Sequence, residues 1–290
     1  MTTFHDMLSL SRESEHSWVG APGPGIGKRM FGGHALAQAV MAATLDDHDD
    51  RHVHSLHAYF MKPGAADQPI SYTVTTLAEG RSFGTRRIDA VQGDRQILTM
   101  TASSQISEPG LHHAAAMPEV PDVDTAQRTL DSWRAKQEDF DALPIIGRLS
   151  SRPIEAVPVD VEGTFGNAAR SPSSSCWMRI RQPEGLSEAM QRPAMAYASD
   201  MLFLRNALLP HGIRPGEKGI QIASLDHAIW FHKTPDFSQW HLYAGESPWS
   251  GAARGLSKGH FFDNKGRLVA TVAQENLMRV RDDRLDQTDA

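Results

Sequence analysis

His57-Ala58-Tyr59-Phe60-Met61-Lys62-Pro63 returns, with altered chemistry, as His227-Ala228-Ile229-Trp230-Phe231-His232-Lys233-Thr234-Pro235. Each copy follows a helical apolar stretch. Each also precedes an apolar strand that ends in small and amide side chains: Gln96-Ile97-Leu98-Thr99-Met100-Thr101-Ala102-Ser103 in one half and Arg267-Leu268-Val269-Ala270-Thr271-Val272-Ala273-Gln274 in the other. The order helix, strand, strand, strand is common to both. A tandem duplication accounts for this better than one continuous fold, and divergence between the copies marks where only one of them needs reactive groups.

Outward from the first copy, the pattern predicts a short helix over 3–10, a strand over 17–20 and a Pro/Gly-rich turn over 21–27. Phe31-Gly32-Gly33 then opens a helix whose Ala35, Leu36, Ala39, Val40 and Ala43 form one face of small apolar side chains, suited to lying close against a sheet. Strands are expected over 53–60, 70–77, 82–92 and 97–105. The pattern breaks from Glu108 to Leu149, where Pro109, Pro118 and Pro121 precede a polar, helix-favouring run over 125–140 that reads as a linker helix. The second half restarts with strands over 153–159 and 176–180, a helix over 198–208, and strands over 220–231, 239–247, 254–262 and 268–279. The expected division is residues 1–110, a linker over 111–150, and residues 151–290.

The chain has 290 residues and a formal net charge of −6, which argues against a general nucleic-acid surface and leaves small molecules or proteins as partners. A single cysteine, Cys176, rules out an internal disulfide and a cysteine-rich metal cage. The N-terminus lacks a basic segment followed by an apolar one, and no apolar run approaches the roughly 20 residues of a membrane span. A soluble, unprocessed protein of the reducing cytoplasm is the expectation.

Several long segments resemble one family. Arg29-Met30-Phe31-Gly32-Gly33-His34-Ala35-Leu36-Ala37-Gln38-Ala39, His54 through Gly64, and Gly80-Arg81-Ser82-Phe83-Gly84-Thr85-Arg86-Arg87 are similar to the type II acyl-CoA thioesterases, the TesB-like family. Tyr197-Ala198-Ser199-Asp200, Ser224 through His232, and Val272-Ala273-Gln274-Glu275 agree in order and spacing. The resemblance spans nearly the whole chain except the linker. It implies an α+β double hotdog, in which two tandem long helices are each wrapped by an antiparallel sheet, with the sheets joined in one chain. It also implies hydrolysis of fatty acyl-CoA, no cofactor or metal, and a homo-oligomer of two or four chains. Matching the family's motifs residue by residue gives Asp200, Ser224 and Gln274 as catalytic candidates, with Asp200 at the start of the second helix. Ser224 stands where many relatives carry Thr.

Those residue types fit the reaction. A thioester carbonyl is poorly resonance-stabilised and its leaving group is a thiolate, so an oriented water can attack without a covalent intermediate. A carboxylate can take the water's proton, and a hydroxyl and an amide can fix its position because each both donates and accepts. Taken alone, Asp200 is equally suited to capping a helix. Backbone N–H groups at a helix start suit a developing oxyanion, which makes Gly32 and Gly33 substrate-binding candidates, although tight helix packing explains them equally well. His57 and Arg81 complete the substrate-binding set, Arg81 for the phosphates of coenzyme A. His54 and His57 are expected on opposite strand faces, against a metal cluster with His52.

Two phosphate and nucleophile motifs are excluded. Gly23 through Arg29 fails the phosphate-loop pattern, with Pro22 at its first glycine and Arg29 at its Ser/Thr. There is no Gly-x-Ser-x-Gly elbow for a serine nucleophile. The alternatives are a hotdog enoyl-CoA hydratase, disfavoured because Arg205 rather than His follows Asp200 by five residues, and a non-catalytic acyl-CoA-binding protein.

Overall fold

The computed structural model describes residues 3–48, 50–137 and 152–281. In chain order its elements are α1 (Phe4–Leu8), β1 (Leu10–Ser14), β2 (Ser17–Gly20), β3 (Gly25–Ile26), β4 (Arg29–Met30), α2 (Gly32–Leu45), β5 (Arg51–Phe60), β6 (Ile70–Glu79), β7 (Phe83–Gln92) and β8 (Arg95–Ile106). After α3 (Val123–Arg134) come β9 (Ile154–Pro158), α4 (Val161–Phe165), β10 (Ser173–Ile180), α5 (Glu188–Ser199) and α6 (Arg205–Leu208). The chain then completes β11 (Ile220–Ser224), β12 (Asp226–Phe231), β13 (His241–Gly251), β14 (Arg254–Asp263) and β15 (Leu268–Val280).

All but the small β3–β4 ribbon join one antiparallel sheet, ordered β1-β2-β6-β7-β8-β5-β12-β15-β14-β13-β10-β9, with β11 beside the far end of β15. The order exposes the repeat. From the middle outward, the first half reads β5, β8, β7, β6 and the second β12, β15, β14, β13, the same first, fourth, third, second arrangement on each side. The echoed segments themselves form the seam: Ala58 pairs with His227 and Leu56 with Ile229. The architecture is an α+β double hotdog.

The two main helices pack side by side, with α2 against the strands of the first half. Residues 33–43 of α2 are all buried, because the sheet covers one side and α5 the other, and a helix enclosed on both sides is apolar all round. Both halves feed one hydrophobic cluster, running from Phe4 and Leu36 to Tyr197 and Phe261. A second, smaller cluster seats α3 against Trp177, Leu242 and Phe262 on the outside of the sheet. The helix expected over 125–140 is thus Val123–Arg134, started by Asp122, whose side chain accepts from Thr125 N–H; its expected end at Phe140 lies outside the described residues.

Two local expectations fail for identifiable reasons. The helix expected over 198–208 is interrupted: α5 ends at Ser199 and a separate short helix, α6, begins at Arg205, because Leu202 between them takes a left-handed conformation (φ 63°). The helix itself lies upstream, where Pro193 disguises it. A bulge between Val53 and Ser55 resets the alternation of β5. His54 therefore meets Ser103 on the same outer face on which His57 meets Asp226, not the opposite face.

Candidate active site

Asp200 caps the C-terminal end of α5, and the turn at Leu202 carries its carboxylate to the start of α2. There Gly33 N–H donates to Asp200 Oδ2 at 2.8 Å. The helix start expected at Asp200 thus belongs to the other half of the chain, and its dipole favours an anion, whereas the end of α5 opposes one. The contact requires glycines. A Cβ on Gly32 would sit 2.9 Å from Asp200 Oδ2, and one on Gly33 would sit 2.6 Å from the Tyr197 carbonyl oxygen. Of the two glycines expected to face substrate, Gly33 commits its N–H to Asp200. Gly32 N–H meets no acceptor among the described residues and lines the cavity beside the carboxylate.

Ser224 and Gln274 reach Asp200 through an interruption in the sheet. Leu225, between β11 and β12, donates to Glu275 O and accepts from Phe60 N–H, each at 2.9 Å, and this offset sets Ser224 beside Gln274. Gln274 Nε2 donates to Ser224 Oγ at 2.7 Å and to Asn276 Oδ1 at 2.8 Å, with a longer contact of 3.2 Å to Asp200 Oδ1. Ser224 Oγ donates in turn to Asp200 Oδ1 at 3.2 Å. The structure therefore brings all three catalytic candidates into one hydrogen-bonded group.

The group extends beyond what motif reading singles out. His227, fully buried on β12, holds Gln274 Oε1 with Nδ1 at 2.6 Å and meets Ser199 Oγ with Nε2 at 2.8 Å. Burial lowers the His227 pKa below its ordinary value, against the pull of Asp200 and Gln274; because an amide oxygen can only accept, Nδ1–H is the donor that fixes which way the amide points. The signal was present in the inward period-two row His227, Ile229, Phe231, where one member is polar. Asn276 follows Gln274 by the same inward period on β15. Burial raises the Asp200 pKa, while His227, Gln274, Arg152 and Gly33 N–H oppose that rise.

Arg152 carries no motif. Its guanidinium lies 3.4 Å from the centroid of the Phe31 ring, and the residue is 9% exposed. With Asp200, Gly32, Phe60 and Ser224 it lines a cavity of about 580 Å³ between the halves. Apolar walls come from Met30, Ala35, Phe60, Ile97, Met201 and Phe203, and the exposed cations Arg29 and Lys62 also line the cavity.

His57 and Arg81 are not brought there. His57 Nε2 lies 2.9 Å from Asp226 Oδ2 on the outer face, and Arg81 is exposed in the turn between β6 and β7; neither lines the cavity. The register of β5 points Leu56 and Ala58 inward and His57 out. Arg205 braces the fold instead. It donates to the carbonyl oxygens of Gly163 and Gly166, at 2.6 and 3.0 Å, securing the end of α4.

Comparison with known proteins matches residues 148–277 to the family described as acyl-CoA thioesterase and residues 20–105 to the acyl-CoA thioesterase N-terminal domain. The chain is 35% identical over 255 residues to acyl-CoA thioesterase 2 of Haemophilus influenzae, covering 87% of this chain and 88% of that protein. It is 35% identical over 274 residues to human acyl-coenzyme A thioesterase 8, covering 92% and 83%. The crystal structure of the acyl-CoA thioesterase II TesB2 from Mycobacterium marinum superposes with a TM-score of 0.78 at 30% identity, covering 97% of this chain and 100% of that one. A dehydratase domain of PpsC from Mycobacterium tuberculosis, at 13% identity and TM-score 0.52, shares the fold alone.

Proposed function

Since this chain belongs to the acyl-CoA thioesterase family and hydrolyses acyl-CoA thioesters, we propose that a water held by Asp200, Ser224 and Gln274 attacks the thioester carbonyl directly. The observation that carries this reading is the half-buried Asp200 carboxylate, which accepts from Ser224, Gln274 and Gly33 and still borders the cavity. A carboxylate has about four lone-pair sites, so those bonds leave room for the water. Burial lifts its basicity toward the working range of a general base. The water's proton passes to Asp200 and its oxygen bonds to the carbonyl carbon. The carbonyl π pair moves onto oxygen, toward Gly32 N–H. On collapse the C–S bond breaks, the thiolate takes the proton from Asp200, and a carboxylic acid and free coenzyme A leave.

The substrate is a fatty acyl-CoA: the acyl chain lies along the apolar walls, and the phosphates of coenzyme A meet Arg29 and Lys62. The protein works in the cytoplasm as a homo-oligomer. Its lone cysteine, buried and free, needs no oxidising compartment, and Tyr59 and Trp230 are each exposed on the outer face, at opposite ends of the β5–β12 seam. No helix among the described residues is long and apolar enough to cross a membrane.

The test mixes purified protein with dodecanoyl-CoA and a thiol-reactive dye, with and without EDTA. One thiol should be freed per acyl-CoA consumed, equally in both. Consumption without thiol release would indicate hydration, and dependence on a divalent ion would sink the direct-water mechanism.

A further inference from the structure

Arg152 is the least satisfied charged group in the cavity. Among the described residues no carboxylate lies within ion-pair distance of its guanidinium, and the guanidinium approaches the Tyr197 hydroxyl rather than an anion. Nη1 is wholly enclosed without a partner, as is the Tyr197 hydroxyl. The side chain stacks on Phe31, the residue that precedes Gly32 at the head of α2, and its charge acts on both the Tyr197 hydroxyl and the Asp200 carboxylate. A buried cation without a carboxylate in direct contact is costly, and a fold keeps one where a ligand supplies the missing partner. Gly32 N–H is a further donor at this cavity without an acceptor among the described residues.

We propose that Arg152 is a further catalytic residue: it receives the oxygen that turns negative when water attacks the thioester carbonyl, and then the carboxylate of the product. Arg152 forms no covalent bond to substrate and transfers no proton; it contributes fixed hydrogen-bond donors and charge where the carbonyl π pair arrives, which is worth most in a site closed to water. A coenzyme A phosphate offers the same oxyanion chemistry. The position of Arg152, buried against Phe31 in the cavity that Gly32 also lines rather than exposed like Arg29 and Lys62, favours the reacting oxygen.

The proposal rests on the direct-water reading, and Asp200→Asn separates the two. Arg152→Met and Asp200→Asn are assayed with dodecanoyl-CoA, and dodecanoate and free coenzyme A are each titrated as competitive inhibitors. Arg152→Met should lose on the order of 10²-fold in kcat. Its inhibition constant for dodecanoate should rise about tenfold or more, the worth of a hydrogen bond to a charged group, with that for coenzyme A unchanged. Asp200→Asn should lose turnover yet keep its dodecanoate affinity. A wild-type kcat in Arg152→Met beside an inactive Asp200→Asn overturns this proposal alone; an active Asp200→Asn overturns the reading beneath it. A rise confined to the coenzyme A constant makes Arg152 a phosphate ligand and also overturns the proposal. If Arg152→Met does not fold, a crystal of the parent protein with dodecanoate decides: the carboxylate against the Arg152 guanidinium supports it, and a carboxylate elsewhere refutes it.

Discussion

His227 Nδ1 lies 2.6 Å from Gln274 Oε1, so the amide at the centre of the site is oriented from behind by a side chain that touches no solvent. With Oε1 held, Nε2 faces forward and a directed chain follows: His227 to Gln274, Gln274 to Ser224, Ser224 to Asp200. Each bond polarises the next, so the set strengthens cooperatively in a low-dielectric site.

His227→Leu should leave Gln274 Oε1 buried without a donor, costing about 1–3 kcal/mol of stability and lowering kcat with little change in KM. His227→Asn places an N–H near the Nδ1 position and should recover most of the loss. Equal kcat in the two variants would show that the amide is held by other means.

Asp200→Asn should lower kcat strongly, since the amide cannot take the water's proton. It should also raise the melting temperature at pH 7. Burial lifts the folded pKa of Asp200 above its unfolded value of about 3.9. The protonated carboxyl therefore favours folding below the unfolded pKa, and that contribution is lost as pH rises through the folded one. The variant mimics the protonated form, so its gain should shrink as the pH is lowered. Melting curves from pH 4 to 8 check the sign. A gain that grows toward acid would contradict a raised pKa.

Ser224→Ala and Gln274→Ala should each cost on the order of 10² in kcat, by analogy with removal of one positioned donor. Because they share one hydrogen bond of 2.7 Å, the double variant should lose less than the product of the two effects. Ser224→Thr keeps the hydroxyl and should stay active. Strict multiplicativity would show that the two act separately.

Residues 1–110 expressed alone should be insoluble or associate. β5 would lose the pairing of Asp226 through Trp230 along its edge, and α2 would lose its cover by α5. A soluble, active monomer of that length would refute the shared core.

The sequence by itself determined the duplicated hotdog pattern, because the echoed strands and the small-faced helix are written in local periods that survive divergence. It also supplied Asp200, Ser224 and Gln274 as catalytic candidates through motifs in register with a family. Three things were decided only by tertiary structure. The end of α5 depends on one left-handed residue, Leu202, which composition does not reveal. The exclusion of His57 follows from a bulge and the register of β5, since a single extra residue exchanges the faces of a strand. The partners of Asp200 were hidden as well: Gly33 is 167 residues away in the chain, and Arg152 belongs to no motif. A carboxylate's basicity depends on burial and on which dipoles reach it, and both are properties of contacts between distant segments, fixed only when two helices from different halves pack against each other.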